Sequence, residues 1–155
     1  MRRIKVGDLG DRRVVDLLHT HLTRARAETA TGSAHALDLS GLKAPEISFW
    51  TLWDDDELVG CGALKQLSIE HGEVKSMHTA EARRRRGVGS TMLRHIIATA
   101  HERGLIRLSL ETGSWGYFNP AVTLYRRHGF VECSPFDEYV ADTNSVFLTL
   151  DLKAN

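Results

Sequence analysis

The chain has 155 residues, of which 42% are hydrophobic and 26% are charged, and this predicts a single globular domain over residues 1–155. Twenty Lys and Arg residues balance 20 Asp and Glu residues, so no net charge draws the protein to nucleic acid or to an anionic membrane. The first twenty residues mix charged and apolar positions, so we expect neither a signal peptide nor a membrane span there.

The first third of the sequence predicts a strand, a long helix and a short helix. Residues 3–6 have the composition of a strand, and two glycines follow as breakers. Apolar residues then recur every three or four positions, which predicts an amphipathic helix over about 11–28. Asp11 suits the N-cap of this helix, and a second short helix is predicted around 33–37.

Residues 47–79 are rich in β-branched and aromatic side chains. Turn-forming segments at 54–56 and 70–72 divide this stretch into three parts. It therefore predicts three strands in an antiparallel meander.

Helices alternate with strands in the second half of the sequence. Helical periodicity predicts helices over 88–104 and 120–129, each ending at a glycine, with strands at 105–112 and 146–152. The order of elements predicts an α/β fold: a central mixed, mostly antiparallel sheet with helices on its faces. Residues 78–110 have the length of one right-handed βαβ unit.

The segment ARRRRGVGST, at 82–91, places a basic run between a predicted strand and a predicted helix. The first N–H groups of a helix lack intrahelical partners, and the helix dipole favours an anion there. Gly87 and Gly89 have no Cβ, so a polyphosphate can approach the main chain, and arginine pairs well with phosphate oxygens. The segment lacks the lysine of a P-loop and the third glycine of a dinucleotide fingerprint. We predict a phosphate-binding turn, with a solvated surface or a nucleic-acid contact as the alternatives.

Metal binding is not expected from the cysteines or histidines. Cys61 and Cys133 lie far apart in the sequence, unlike the cysteines of a metal site or a redox pair. His19 and His21 are two positions apart on a predicted helix, where their side chains point in different directions. The cysteine usage fits a protein of the reducing cytoplasm.

The hexapeptide RRRGVG, at 84–89, resembles the R/Q-x-x-G-x-G/A signature of the GNAT superfamily of acetyl-CoA-dependent N-acetyltransferases. LYRRHGF, at 124–130, resembles the family's L-Y-x-x-x-G-F helix ending, and residues 135–150 are similar to a bacterial subgroup. The resemblance covers residues 47–130, and the predicted element order extends it to both ends. It implies a GNAT-like acyl-CoA N-acyltransferase fold. It also implies an acyltransferase that moves the acetyl group of acetyl-CoA, without a metal, to a primary amine of a small molecule or peptide.

The resemblance further implies which residues hold acetyl-CoA. They lie at the end of one predicted strand and in the turn that follows it. They are Met77, His78, Thr79, Arg84, Arg85, Arg86, Gly87, Val88, Gly89, Ser90 and Thr91. A main-chain N–H near Thr79 would polarise the thioester carbonyl.

Catalytic roles follow from the same resemblance. Tyr125 matches the family's usual general acid, because a phenol with a pKa of about 10 stays protonated at neutral pH and can protonate a leaving thiolate. Glu73, which opens the fourth predicted strand, is the first candidate for the base, and it shares a strand face with Met77 and Thr79 unless a bulge intervenes. Glu111, on the next strand, is the other candidate. A core tyrosine and two surface glutamates are the alternatives.

One position departs from the family pattern. Many members carry an asparagine seven residues before the tyrosine, where this sequence has Phe118. We assign Glu111, Thr112 and Phe118 to the substrate side, and a non-catalytic acyl-CoA-binding or sensor module remains the alternative function. Similar proteins commonly pair through the C-terminal strand, so the resemblance is compatible with a homodimer.

Overall fold

The helices and strands of this computed structural model lie within residues 1–27, 39–80, 87–114 and 116–154, which are the residues that the structure describes. In chain order they are β1 (Arg2–Val6), α1 (Arg12–Ala27), α2 (Leu39–Leu42), β2 (Ile47–Asp54), β3 (Glu57–Gln66), β4 (His71–Thr79), α3 (Val88–Glu102), β5 (Arg107–Gly113), α4 (Asn119–Arg127), β6 (Val131–Glu132) and β7 (Ser145–Asp151). Short 3-10 turns occupy Gly116–Phe118 and Leu152–Ala154.

The seven strands of the described residues form one mixed sheet in the order β1-β2-β3-β4-β5-β7-β6. All neighbouring strands are antiparallel except β4 and β5, which are parallel and are connected through α3. Strands β4 and β5 pair only from His71 and Arg107 to Glu73 and Ser109. Beyond these residues the two strands separate, and a gap opens between their C-terminal halves.

Helices cover both faces of the sheet, because side chains alternate along each strand and supply two cores. On the α3 face, α3 and α4 pack over a core that includes Trp50, Leu52, Leu64, Met92, Leu93, Ile96, Leu108, Phe130 and Leu148. On the α1 face, the core includes Val14, Leu18, Leu42, Phe49, Trp53, Cys61 and Ala63. Burying each such aliphatic side chain stabilises the fold by about 1.5–3 kcal/mol.

A bulge interrupts β4 halfway along its length. The register with β3 shifts between Cys61 and Ala63, and Ser76 in β4 has a φ of 53°. The Cys61 thiol donates a hydrogen bond to the Ser76 carbonyl, with 3.2 Å between sulfur and oxygen. An extra residue of this kind reverses the faces of the residues that follow it. Glu73 therefore does not share a face with Met77, as it would without a bulge.

The elements predicted from periodicity are largely confirmed. Helices α1, α3 and α4 and strands β2 to β5 and β7 lie where the sequence places them, and the α/β fold with its mostly antiparallel sheet is correct. The predicted helix at 33–37 lies outside the described residues. The sequence does not predict α2 or β6, because one helical turn and a two-residue strand show no periodicity. No helix in the described part of the chain is long and apolar enough to cross a membrane.

Candidate active site

The amino end of α3 is the turn for which the sequence predicts phosphate binding. Gly87 is its N-cap, with a φ of 78° that favours glycine, and no side chain of the described residues caps the helix. No acidic residue lies in the first turn, and the first amides of a helix have no intrahelical acceptor. This end of α3 can therefore bind an anion. Arg84, Arg85 and Arg86 lie outside the described residues.

Gly89 is explained by packing between helices. A Cβ on Gly89 would lie 3.0 Å from Leu124 Cδ2 in α4 and 3.8 Å from Thr79 Oγ1. The 3.0 Å contact is closer than ordinary van der Waals contact. The second glycine of the turn thus lets α4 approach α3. Gly87 has more room, since its nearest neighbour would be Arg2 Nη1 at 3.7 Å.

Side chains of the first turns of α3 form hydrogen bonds with the C-cap residue of α4 and with each other. Ser90 Oγ lies 2.8 Å from His128 Nε2, and Arg94 Nη1 donates to Ser90 Oγ at 3.0 Å. The Thr91 hydroxyl donates to the Gly87 carbonyl at 2.9 Å. Burial, with help from the charge of Arg94, lowers the pKa of His128, so the neutral imidazole is favoured. His128 lies within the LYRRHGF motif, but no local pattern predicts its contact with Ser90, which is 38 positions away.

Tyr125 is buried in α4 on the α3 face of the sheet. Its ring packs edge-on against Phe130, with 5.8 Å between centroids. Burial raises the pKa of Tyr125 above its ordinary value, so the hydroxyl keeps its proton at neutral pH. Within the described residues, no hydrogen bond to this hydroxyl is found. The residue has the protonation state that a general acid requires, and it also fills the core.

Glu73 belongs to a buried polar cluster on the α1 face. Its side chain is 2% exposed and that of Lys75 is 9% exposed, and Lys75 Nζ lies 3.1 Å from Glu73 Oε2. The Tyr139 hydroxyl donates to Glu73 Oε2 at 2.7 Å and accepts from Lys75 Nζ at 2.9 Å. Burial and the negative charge of Glu73 raise the pKa of Tyr139. The candidate base is thus held by the Lys75 ammonium and the Tyr139 phenol, two contacts that no local sequence pattern predicts.

Aromatic rings surround this cluster. Tyr139 packs against Phe136 and Phe147, with centroids 5.1 and 5.6 Å apart. Phe136 also contacts Phe147 and His71, at 6.0 and 5.7 Å. Phe136 and Tyr139 come from the segment between β6 and β7, so this segment covers the α1 face beside β4.

The predicted substrate-side residues lie at the end of β5. Glu111 is half-buried and accepts a hydrogen bond from Ser145 Oγ at 2.7 Å. Thr112 is half-buried and, as the next residue of the strand, points to the opposite face. The ring of Phe118 lies against Gly113, where any side chain at position 113 would collide with it. Phe118 therefore packs at the end of β5, against Gly113, which lies two positions beyond Glu111.

The end of β4 divides the predicted cofactor residues between the two faces. The Met77 sulfur would lie 3.0 Å from a Cβ on Gly62, beside Met92, which places Met77 under α3. His78 pairs with Cys61, a residue of the α1-face core. Met77 and His78 thus lie on opposite faces of the sheet at the end of β4.

The described residues contain no metal centre, and one groove lies apart from the predicted site. Among the described residues, no group of three His, Cys, Asp or Glu side chains is placed to hold a metal ion. Burial raises the pKa of the free Cys61 thiol to about 12. A groove of about 810 Å³ lies between α1 and the turn from β2 to β3. No predicted site residue lines it.

Known proteins are similar to this chain in sequence and in architecture. The model of the Acetyltransferase (GNAT) family matches residues 15–130. YsnE of Bacillus subtilis (strain 168), an uncharacterized N-acetyltransferase, is 50% identical over 149 residues, which cover 96% of this chain and 99% of YsnE. A crystal structure from Klebsiella pneumoniae subsp. pneumoniae MGH 78578, assigned as an acyl-CoA N-acyltransferase, has a TM-score of 0.82 and 27% identity over 98% of each chain. A GNAT family acetyltransferase from Elizabethkingia anophelis with acetyl-CoA bound has a TM-score of 0.71 and 18% identity over 97% of each chain, a likeness of fold alone.

Proposed function

Because the chain belongs to the Acetyltransferase (GNAT) family and is an N-acetyltransferase, we propose that it transfers the acetyl group of acetyl-CoA to a primary amine. The amine belongs to a small molecule or a peptide. One observation carries the proposal: α3, the helix that connects β4 to β5, begins at the left-handed Gly87, and β4 and β5 stop pairing after Glu73 and Ser109. This arrangement offers amides to a diphosphate and an opening to the thioester.

Acetyl-CoA is the proposed donor. The uncapped first turn of α3, which contains no carboxylate, suits the pyrophosphate. Ser90 and Thr91 add hydroxyl groups, and Arg84, Arg85 and Arg86 add positive charge on the strength of the sequence alone. The acetyl-CoA bound to the Elizabethkingia anophelis relative of the same fold supports this choice of donor.

The proposed transfer is a direct attack of the amine on the thioester. The acceptor ammonium first gives up one proton, and its neutral nitrogen attacks the carbonyl carbon. A C–N bond forms, the C–S bond breaks, and the nitrogen loses a second proton. The sulfur takes up a proton, so the products are the N-acetylated amine and the free thiol of CoA.

The candidate acid and bases approach this reaction from opposite sides of the sheet. Tyr125 would protonate the sulfur from the α3 face. Glu73 or Glu111 would accept the ammonium proton from the α1 face. The separation of β4 and β5 supports this division, because it leaves space between the two faces.

Release of free thiol in the presence of amines tests the function. The protein is mixed with acetyl-CoA and a panel of small and peptidyl amines, and thiol and acetylated product are measured together. We expect thiol release that requires an amine and matches the product formed. If acetyl-CoA binds but no amine yields product, the protein is instead an acyl-CoA-binding or sensor module.

Three further properties complete the proposal. Residues 1–155 form one N-acetyltransferase domain, which the single sheet of the described residues supports. We keep a cytoplasmic location and a homodimer as predictions, tested by fractionation of cells and by sedimentation of the purified protein.

A further inference from the structure

Two opposite charges flank the point where β4 and β5 separate. Glu73 and Ser109 are the last residues that pair the two strands. Because every second residue of a strand lies on the same face, the next side chains on the α1 face are Lys75 and Glu111. The cross-strand partner of Lys75 is Ala63 in β3. Because Ala63 belongs to the α1-face core, the Lys75 side chain lies on the α1 face.

The ammonium of Lys75 is nearly buried and has an unused donor. A lysine ammonium has three hydrogens to donate. Two go to Glu73 Oε2 at 3.1 Å and to the Tyr139 hydroxyl at 2.9 Å. In the described part of the chain no third acceptor bonds it, although the side chain is only 9% exposed. An unpaired donor on a buried charge is unfavourable, so this position suits an oxygen atom of a ligand.

Tyr139 contacts Lys75 directly and lies beside Glu111 through Phe147. Its hydroxyl bonds both Glu73 and Lys75, while its ring packs against Phe147, the cross-strand neighbour of Glu111. The negative charge of Glu111 also acts on the Tyr139 hydroxyl. The Lys75 ammonium and the Glu111 carboxylate therefore belong to one group of neighbouring side chains at the point where the strands separate.

We propose that Lys75 and Glu111 select an acceptor that carries a carboxylate beside its amine, as a free amino acid does; this rests on the proposed acetyl transfer. Glu111 receives the acceptor ammonium, and the third hydrogen of Lys75 bonds the acceptor carboxylate. Glu73 already offsets the charge of Lys75, so the site suits one negative charge better than the two of a phosphate monoester. Peptide N termini and protein lysine side chains lack the neighbouring carboxylate and are poorer acceptors.

Matched acceptors test this inference on the wild-type protein. The standard L-amino acids and their carboxamides are compared by kcat/KM, with thiol release as the signal. We expect the best free acids to exceed their carboxamides by about tenfold or more, the usual effect of one hydrogen bond to a charged group. Equal values for acids and carboxamides overturn the inference and leave acetyl transfer intact. Failure of every acid, carboxamide and amine overturns both.

A lysine substitution tests the residue itself. Lys75→Met should lower kcat/KM for free acids by about tenfold and change the value for carboxamides much less. Lys65→Met is the matched control, because Lys65 in β3 is the cross-strand partner of Glu73 but lies away from the gap. This variant should leave the ratio of kcat/KM for acids and carboxamides unchanged. If Lys75→Met does not fold, the double variant Glu73→Gln/Lys75→Met removes the unpaired carboxylate, and its acid-to-carboxamide ratio should fall close to one. A retained preference for acids in the folded variant contradicts the assignment.

Discussion

At the scale of single residues, hydrogen bonding distinguishes two tyrosines that look alike in the sequence. Burial raises the pKa of both Tyr125 and Tyr139, so both keep their protons at neutral pH. The Tyr139 proton is already committed to Glu73 at 2.7 Å, whereas Tyr125 lies on the α3 face with its ring against Phe130. Tyr125 therefore remains the proposed proton donor, and Tyr139 orders the charged cluster.

Removing the Tyr125 hydroxyl tests that role. We expect Tyr125→Phe to lower kcat by about 100-fold, the usual order for general acid catalysis, with little change in the dissociation constant of acetyl-CoA. Turnover is measured by thiol release and affinity by calorimetry. Unchanged turnover would show that water or another group protonates the sulfur.

At the scale of elements, α3 begins and ends at a left-handed glycine. Gly87 has a φ of 78° and Gly104 a φ of 77°, so a side chain at either position is strained by about 1–2 kcal/mol. Only Gly87 faces the proposed pyrophosphate. The two positions therefore form a matched pair. A side chain strains the backbone at both, but only Gly87 is proposed to contact the cofactor.

Substituting the two glycines separates binding from folding. Gly87→Asp should abolish acetyl-CoA binding, because it places a carboxylate against the diphosphate, while the protein stays folded. Gly104→Asp should bind normally and lose more stability, since a negative charge at a helix C terminus is unfavourable. Calorimetry and thermal unfolding of both variants provide the comparison. Equal affinities for the two variants would show that the turn is not the phosphate site.

Packing of α4 on α3 depends on Gly89. We expect Gly89→Ala to lower the free energy of unfolding by about 1–3 kcal/mol, as overpacking does, because its methyl group would lie 3.0 Å from Leu124 Cδ2. Adding Leu124→Ala should relieve the collision, so the two substitutions should be non-additive in chemical denaturation. Strict additivity would mean that the two helices do not meet there.

The elements that the sequence predicts are those with a repeating pattern. Helix α3 shows one, since Val88, Met92, Leu93 and Ile96 all reach the core. The bulge at Ser76 shows none, because it depends on how β3 and β4 align, and it reverses the face on which Met77 lies. The hydrogen bond from Tyr139 to Glu73 joins residues that are 66 positions apart in the sequence, and no local pattern encodes such a contact. A local pattern thus predicts the turn before α3, whereas it does not predict the contacts of Lys75 and Tyr139 with Glu73.

At the scale of the whole molecule, histidines make stability depend on pH. Burial lowers the pKa of His71, His95 and His128, and the buried His95 Nε2 has no hydrogen-bond partner among the residues that the structure describes. A folded-state pKa below the unfolded value of about 6.5 means that the unfolded chain binds more protons. Stability is therefore complete above this pH and is lost as the pH falls through the folded-state values.

Thermal unfolding across pH checks that dependence. We expect Tm to fall between pH 7 and pH 5. His95→Phe, which keeps a ring against Trp50, where the centroids are now 4.8 Å apart, should reduce the fall. A Tm that does not change over this range would contradict the burial of these imidazoles.

At the scale of the whole molecule, the proposed acetyl transfer requires a diphosphate bound at the amino end of α3. Titration of the purified protein with acetyl-CoA in a calorimeter measures this most directly. We predict saturable binding with one site per chain and a dissociation constant below about 1 mM, within the usual range of enzymes for their substrates. The absence of any binding heat up to millimolar acetyl-CoA would contradict the account.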